Sequence, residues 1–174
     1  MQERLARIRL LLLDVDGVMT DGRIIYDDRG GETKAFDVRD GHGLKLLQRA
    51  GIRVGIITGR QSPVVDRRAG ELGIDLVYQG AKDKLVPFAD ILAKTGLPDD
   101  AVAYVGDDLP DLPVLRRVGF AAAVPDARTE LKPYVHYVTG AAGGRGAVRE
   151  ICDLLLRATG QWESVTARYF AEPF

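Results

Sequence analysis

The sequence predicts an α/β fold, a parallel sheet flanked by helices, and three observations point to it. Short apolar runs alternate with longer stretches whose apolar residues recur at helical spacing. Several runs end abruptly in charged or hydroxyl residues. Glycines divide the stretches between them, with Gly51, Gly73, Gly96 and Gly119 falling where helices should stop.

The first run is Leu10-Leu11-Leu12-Leu13, and it leads straight into Asp14-Val15-Asp16-Gly17-Val18. It reads as a buried strand whose carboxyl end carries charge. Side chains alternate on a strand, so Asp14 and Asp16 start on one side while Val15 points away. Acids that close repel each other, and a divalent cation is the usual way to hold both ionised. Gly17 lets the backbone turn tightly beside whatever binds there.

Next comes a break in the α/β rhythm. Arg23-Ile24-Ile25-Tyr26 and Glu32-Thr33-Lys34-Ala35-Phe36 flank Asp27-Asp28-Arg29-Gly30-Gly31, which predicts a β-hairpin over 23–36 with a glycine-rich turn. Its place after the Asp14/Asp16 strand suits a small flap or an oligomer contact beside a site. His42, between Gly41 and Gly43, reads as a loop histidine without a role.

A second run, Arg53-Val54-Gly55-Ile56-Ile57, empties into Thr58-Gly59-Arg60, and a strand over Leu76–Gln79 follows. Leu85, Phe88, Ala89 and Leu92 keep helical spacing. The third run, Ala101-Val102-Ala103-Tyr104-Val105, empties into Gly106-Asp107-Asp108-Leu109-Pro110-Asp111. Strands over Phe120–Val124 and His136–Thr139 precede a helix marked by Ala147, Ile151, Leu154 and Ala158. In the tail, 160–174, no helix period is convincing, yet Trp162, Tyr169, Phe170 and Phe174 crowd together. Exposed aromatics favour an interface, so this tail is expected to dock on something. In open α/β sheets ligands sit outside the carboxyl ends of the strands. The three strand ends therefore bring carboxylates, a hydroxyl and a guanidinium to one rim.

Composition bounds the rest. With 46% hydrophobic and 28% charged residues, 1–174 reads as one soluble globular domain. A net charge of -1 gives no electrostatic case for a nucleic-acid or membrane partner. Cys152 stands alone, which suits a reducing cytoplasm, and its apolar setting reads as structural. The run Ile8 to Leu13 is too short for a membrane span and lacks a signal-peptide cleavage pattern. A cytoplasmic location is expected.

Asp14-Val15-Asp16-Gly17-Val18-Met19-Thr20-Asp21-Gly22, Thr58-Gly59-Arg60, a following lysine and Gly106-Asp107-Asp108-x-x-Asp111 together resemble the haloacid dehalogenase superfamily of phosphotransferases. Phe36-Asp37-Val38-Arg39-Asp40-Gly41, Tyr78-Gln79-Gly80 and Ala142-Gly143-Gly144-Arg145-Gly146-Ala147-Val148-Arg149-Glu150 are similar to its 3-deoxy-D-manno-octulosonate 8-phosphate phosphatase family. The similarity covers nearly the whole chain. It implies a Rossmann-like fold with no separate cap domain, the hairpin being the only candidate cover.

It also implies Mg²⁺-dependent hydrolysis of that acidic sugar phosphate on the route to lipopolysaccharide. Asp14 would be the nucleophile that forms an aspartyl-phosphate. Asp16 would protonate the leaving sugar oxygen and then activate water. The implied Mg²⁺ ligands are the Asp14 carboxylate, the Asp16 backbone carbonyl and Asp107, with Asp108 and Asp111 as supporting acids. Thr58 would bind a phosphate oxygen through its hydroxyl and backbone. Of Lys82 and Lys84, the family places its lysine directly before the apolar helix, which selects Lys84. Arg60 and Arg68 are candidates for the substrate's carboxylate or phosphate. The implied assembly is a homotetramer, with the aromatic tail reaching an adjacent site as a lid.

Other readings differ in one feature each. A phosphatase for a nonulosonate 9-phosphate would share every catalytic residue. A signalling receiver domain would place its phosphorylated aspartate on a middle strand, where this chain has Thr58-Gly59-Arg60. A non-catalytic oligomeric module would have no use for the full set Asp14, Asp16, Thr58, Lys84 and Asp107.

Overall fold

The computed structural model describes residues 1–171. In chain order its regular elements begin with α1 (Gln2–Ala6), β1 (Leu10–Leu13), β2 (Ile25–Tyr26), β3 (Glu32–Thr33), α2 (Val38–Arg49) and β4 (Arg53–Ile57). There follow α3 (Pro63–Leu72), β5 (Leu76–Tyr78), α4 (Leu85–Thr95), β6 (Val102–Gly106), α5 (Leu112–Leu115), β7 (Phe120–Ala123) and β8 (Tyr137–Val138). The helices α6 (Ala147–Ala158) and α7 (Trp162–Thr166) complete the series.

Six strands form one sheet in the order β5-β4-β1-β6-β7-β8, and every pairing in it is parallel. Such strands are buried on both faces and read as continuous apolar runs, which is how the sequence writes them. All four leucines of β1 are withdrawn from solvent. Leu11 and Leu13 enter the layer that packs under α2, α3 and α6, while Leu10 and Leu12 enter the opposite layer with Phe88 and Ile91 of α4. Truncating any of them to alanine should cost about 2–5 kcal/mol.

The chain lays β4 on one side of β1 and β6 on the other, so direction reverses across β1. Beyond the carboxyl ends of these strands lies the crevice of a doubly wound sheet. Gly73 and Gly96 are the left-handed caps that end α3 and α4. Gly119 has another purpose, because a Cβ there would lie 1.9 Å from the Asp100 carbonyl oxygen.

Three local expectations change. The hairpin forms, but its ladder is only Ile25–Tyr26 against Glu32–Thr33. His42 lies inside α2, not in a loop; Asp37 caps that helix by accepting the Arg39 N–H at 2.7 Å. The tail is helical in part: α7 and a following 3₁₀ turn (Ala167–Tyr169) bring the Tyr169 hydroxyl 2.9 Å from His42 Nε2 and 3.1 Å from Arg49. Through Tyr169 the tail therefore docks on its own α2, and Phe174 is outside the described residues. No helix among the described residues is long and apolar enough to cross a membrane.

Candidate active site

Asp14 directly follows β1, and its N–H still donates to the Val105 carbonyl of β6 at 3.0 Å. The last ladder bond thus fixes the residue that carries the charge. The Asp14 carboxylate is buried; its Oδ1 accepts the Val15 N–H at 2.7 Å and lies 3.0 Å from Lys84 Nζ. Burial raises its pKa to about 6, with Asp111 adding to the rise and Lys84 opposing it. Gly17 turns the chain at φ +92, and a Cβ on it would fall 2.1 Å from Asp107 Oδ2. A side chain there would therefore collide with the carboxylate that faces Asp14. Gly143 answers from the far side, since its Cβ would lie 1.8 Å from the Gly17 carbonyl oxygen. The glycine-arginine segment thus packs backbone to backbone against the Asp14–Gly17 loop.

Lys84 is the residue before α4, and only 3% of it is exposed. Its Nζ donates to Asp111 Oδ1 at 2.6 Å and to the Tyr104 hydroxyl at 3.3 Å. Burial alone pulls the lysine pKa down, but Asp111 and Asp14 more than offset this and the net shift is upward. Lys82 is exposed, in keeping with the choice of Lys84.

Asp111 is fully engaged by protein donors. Its Oδ1 accepts from Lys84 and from the Tyr104 hydroxyl at 2.5 Å, and its Oδ2 accepts the N–H groups of Asp107 and Asp108 at 3.0 and 3.2 Å. Asp108 is exposed and caps the short turn after β6, accepting the Leu109 N–H at 2.7 Å. Asp107 has its pKa raised to about 8, by burial first and then by Asp14, Asp111 and Asp108. Carboxylate oxygens of Asp14, Asp107 and Asp111 lie within 4.8 Å of one another. Asp111 is already saturated, so Asp14 and Asp107 are the side chains of this set left to hold a cation. Hard oxygen donors whose pKa values are raised by burial and by neighbouring acids fit Mg²⁺ well.

Asp16 stands on the other side of the cavity. Its Oδ1 is ion-paired with Lys34 Nζ, and its Oδ2 is 3.9 Å from Arg60 Nε. Arg60 Nη2 in turn donates to Glu32 Oε1 at 2.9 Å and to the Tyr26 hydroxyl at 3.1 Å. Thr58 directly follows β4 as expected, but its N–H donates to the Tyr78 carbonyl at 2.9 Å. Its backbone N–H is thus used within the fold, and Thr58 itself is buried.

Asp14, Asp16, Arg60, Lys84 and Asp107 line one cavity of ≈ 330 Å³. Arg68 is not brought there within this chain. It lies over the Phe36 ring at 5.7 Å and pairs with Glu71 at 3.3 Å. A larger cavity of ≈ 400 Å³ opens at the amino-terminal end of β4 and β5, around Gln48, Arg53 and Asp75, and gathers no comparable set of groups.

Sequence reasoning missed Lys34, Glu32 and Tyr104. Lys34 and Glu32 read as members of an alternating strand, and Tyr104 as core. The usable signal was chemical: a tyrosine inside a buried strand needs a partner for its hydroxyl.

Residues 38–119 match a family model described as haloacid dehalogenase-like hydrolase. The 3-deoxy-D-manno-octulosonate 8-phosphate phosphatase KdsC of Yersinia pestis is 51% identical over 164 residues, covering 94% of this chain and 88% of that protein. KdsC of Escherichia coli (strain K12) is 53% identical over 154 residues, covering 88% and 82%. The same phosphatase from Moraxella catarrhalis, solved in complex with magnesium ion, phosphate ion and a KDO molecule, superposes with a TM-score of 0.94. It is 45% identical and covers 97% of each chain. The chain belongs to the haloacid dehalogenase-like hydrolases, within the family of these KdsC phosphatases.

Proposed function

We propose that this chain hydrolyses 3-deoxy-D-manno-octulosonate 8-phosphate to 3-deoxy-D-manno-octulosonate and phosphate, on the route to lipopolysaccharide. The observation that carries this reading is the buried Asp14 carboxylate, held by Lys84 at 3.0 Å and faced by Asp107, in a chain half identical to KdsC phosphatases.

Asp14 attacks phosphorus, and the bond from phosphorus to the sugar oxygen breaks. Asp16 gives its proton to that leaving oxygen. In the second step Asp16 takes a proton from water as the water oxygen attacks the aspartyl-phosphate, which frees Asp14 and phosphate. Lys84 places positive charge against the transferring group, and Asp111 with Tyr104 keeps its ammonium there. The Thr58 hydroxyl binds a phosphate oxygen. The carboxylates of Asp14 and Asp107, with the main-chain carbonyl of Asp16, would hold Mg²⁺, which would supply charge against the repulsion between nucleophile and phosphate.

Arg60 meets the substrate's carboxylate or phosphate. Arg68 keeps a substrate-binding role only if a second copy brings it to a neighbouring cavity. The reading treats 1–174 as one catalytic domain, working in the cytoplasm as a homotetramer whose hairpins associate. Exposed Ile24, Ile25 and Tyr26 on the hairpin support that assembly.

The test is phosphate release with Mg²⁺ across acidic sugar 8- and 9-phosphates, neutral sugar phosphates and an aryl phosphate, with Asp14→Asn as blank. Preference for the octulosonate ester is expected. Preference for a 9-phosphate would move the substrate assignment to a nonulosonate, and release independent of Asp14 would remove the phosphatase reading.

A further inference from the structure

Lys34 follows β3, and its side chain is 0% exposed. A lysine at the end of a two-residue ribbon strand ordinarily keeps its ammonium in water. This one is turned inward. An ammonium so withdrawn is tolerated only where carboxylates replace the lost hydration. It has two: Asp16 Oδ1, in direct ion-paired contact, and Glu32 Oε1 at 3.6 Å.

The two oxygens of Asp16 are treated unequally. Oδ1 is the oxygen that Lys34 grips, whereas Oδ2 stands 3.9 Å from Arg60 Nε, beyond hydrogen-bond reach. Glu32 completes the frame by accepting from Arg60 at 2.9 Å while facing Lys34. One oxygen of the acid/base is thereby anchored, and the other is left without a hydrogen bond on a side chain that lines the cavity. A carboxylate that must deliver a proton to one atom gains from having a single oxygen free and its torsion fixed.

We propose that Lys34 is a positioning residue for Asp16: the hairpin, through this buried ammonium, aims the free Asp16 oxygen at the leaving group. The inference rests on the reading of Asp16 as proton donor. It adds that the flap contributes to the chemical step as well as covering the site.

Leaving groups separate the possibilities. A sugar alkoxide needs a proton as it departs, whereas the phenolate from 2,4-dinitrophenyl phosphate departs without one. Rates of the Lys34→Met protein with Mg²⁺ on both esters give the key ratio. The sugar 8-phosphate should lose about 10–10²-fold more than the aryl ester in kcat/KM, which reports departure of the leaving group and not the later hydrolysis of the intermediate that both esters share. Asp16→Asn should show the same bias more strongly, and adding Lys34→Met to it should remove little more. Lys34→Gln, which keeps a donor without the charge, serves if Lys34→Met does not fold, and the same bias is expected of it.

Equal losses on both esters, or independent losses in the double variant, would overturn the proposal while leaving Asp16 as the acid. Absence of leaving-group bias in Asp16→Asn would instead remove the reading on which the proposal stands.

Discussion

Lys84 and Lys34 both set buried ammonium groups against acids that line the same cavity, yet one hangs from the core and the other from a ribbon. Lys84 precedes an eleven-residue helix, and its partners Asp14, Asp111 and Tyr104 are all fixed by β1, β6 or the turn after β6. Lys34 leaves a hairpin with two residues in each strand, whose Ile24, Ile25 and Tyr26 are exposed. A two-stranded ribbon of that size is marginal alone. It is tied to the rim by Lys34 on Asp16 and by Arg60 on Glu32 and Tyr26. The Asp14 side of the cavity is thus set by core packing. The Asp16 side is set by charge pairs, which ligands and neighbours can rearrange.

The largest expected effect breaks the core side. Asp14→Asn should lower turnover on the order of 10⁴-fold or more while circular dichroism stays native. Lys84→Met should follow, with kcat down about 10²–10³-fold. It also strands Asp14 and Asp111 without their counter-charge, so a stability loss of about 3–5 kcal/mol should appear in urea unfolding. A cavity that tolerated this loss would not be core-defined.

Metal removal sharpens the same contrast. Without a cation, folded Asp14 and Asp107 keep protons at pH values where the unfolded chain, near 3.8, has lost them. Their contribution to stability is complete below that value and declines as pH rises through about 6 and about 8. Bound Mg²⁺ replaces those protons. The rise in Tm on adding Mg²⁺ should therefore be larger at pH 8 than at pH 5.5. Equal shifts at both values would argue against the Asp14/Asp107 site.

The smallest effect concerns the tail. Deletion after Gly160 should change substrate affinity or product release by a few-fold, more than single-turnover chemistry. It also removes the Tyr169 contacts to His42 and Arg49, so a modest fall in Tm is expected. Unchanged kinetics would confine the described part of the tail to a structural role on α2.

Much of the core side could be read directly from the sequence. Leu10–Leu13 running into Asp14 and Asp16, Ile57 into Thr58, and Val105 into Gly106 and Asp107 are local statements. A buried strand must end where charge begins, and parallel strands bring those ends together. Resemblance then selected Lys84 over Lys82. The division of labour among the acids was less open to reading. Resemblance made Asp111 a supporting acid for the metal shell or the lysine, and its four donors assign it to Lys84 and the turn. Spacing alone put Arg68 near Arg60, but Arg60 lies in the loop after β4 while Arg68 lies within α3, and spacing does not specify what that helix turns it onto. In this chain the surroundings are Phe36 and Glu71.

By itself, then, the sequence determined the sheet, its strand ends and the charges they carry, because alternation and burial are properties of neighbouring residues. Only the tertiary structure decided that Lys34 points inward to Asp16, 18 residues away, and that Glu32 meets Arg60 across 28. Those pairs form because a charge withdrawn from water takes whichever opposite charge the folded chain has brought within reach, and that choice is made in space rather than along the sequence.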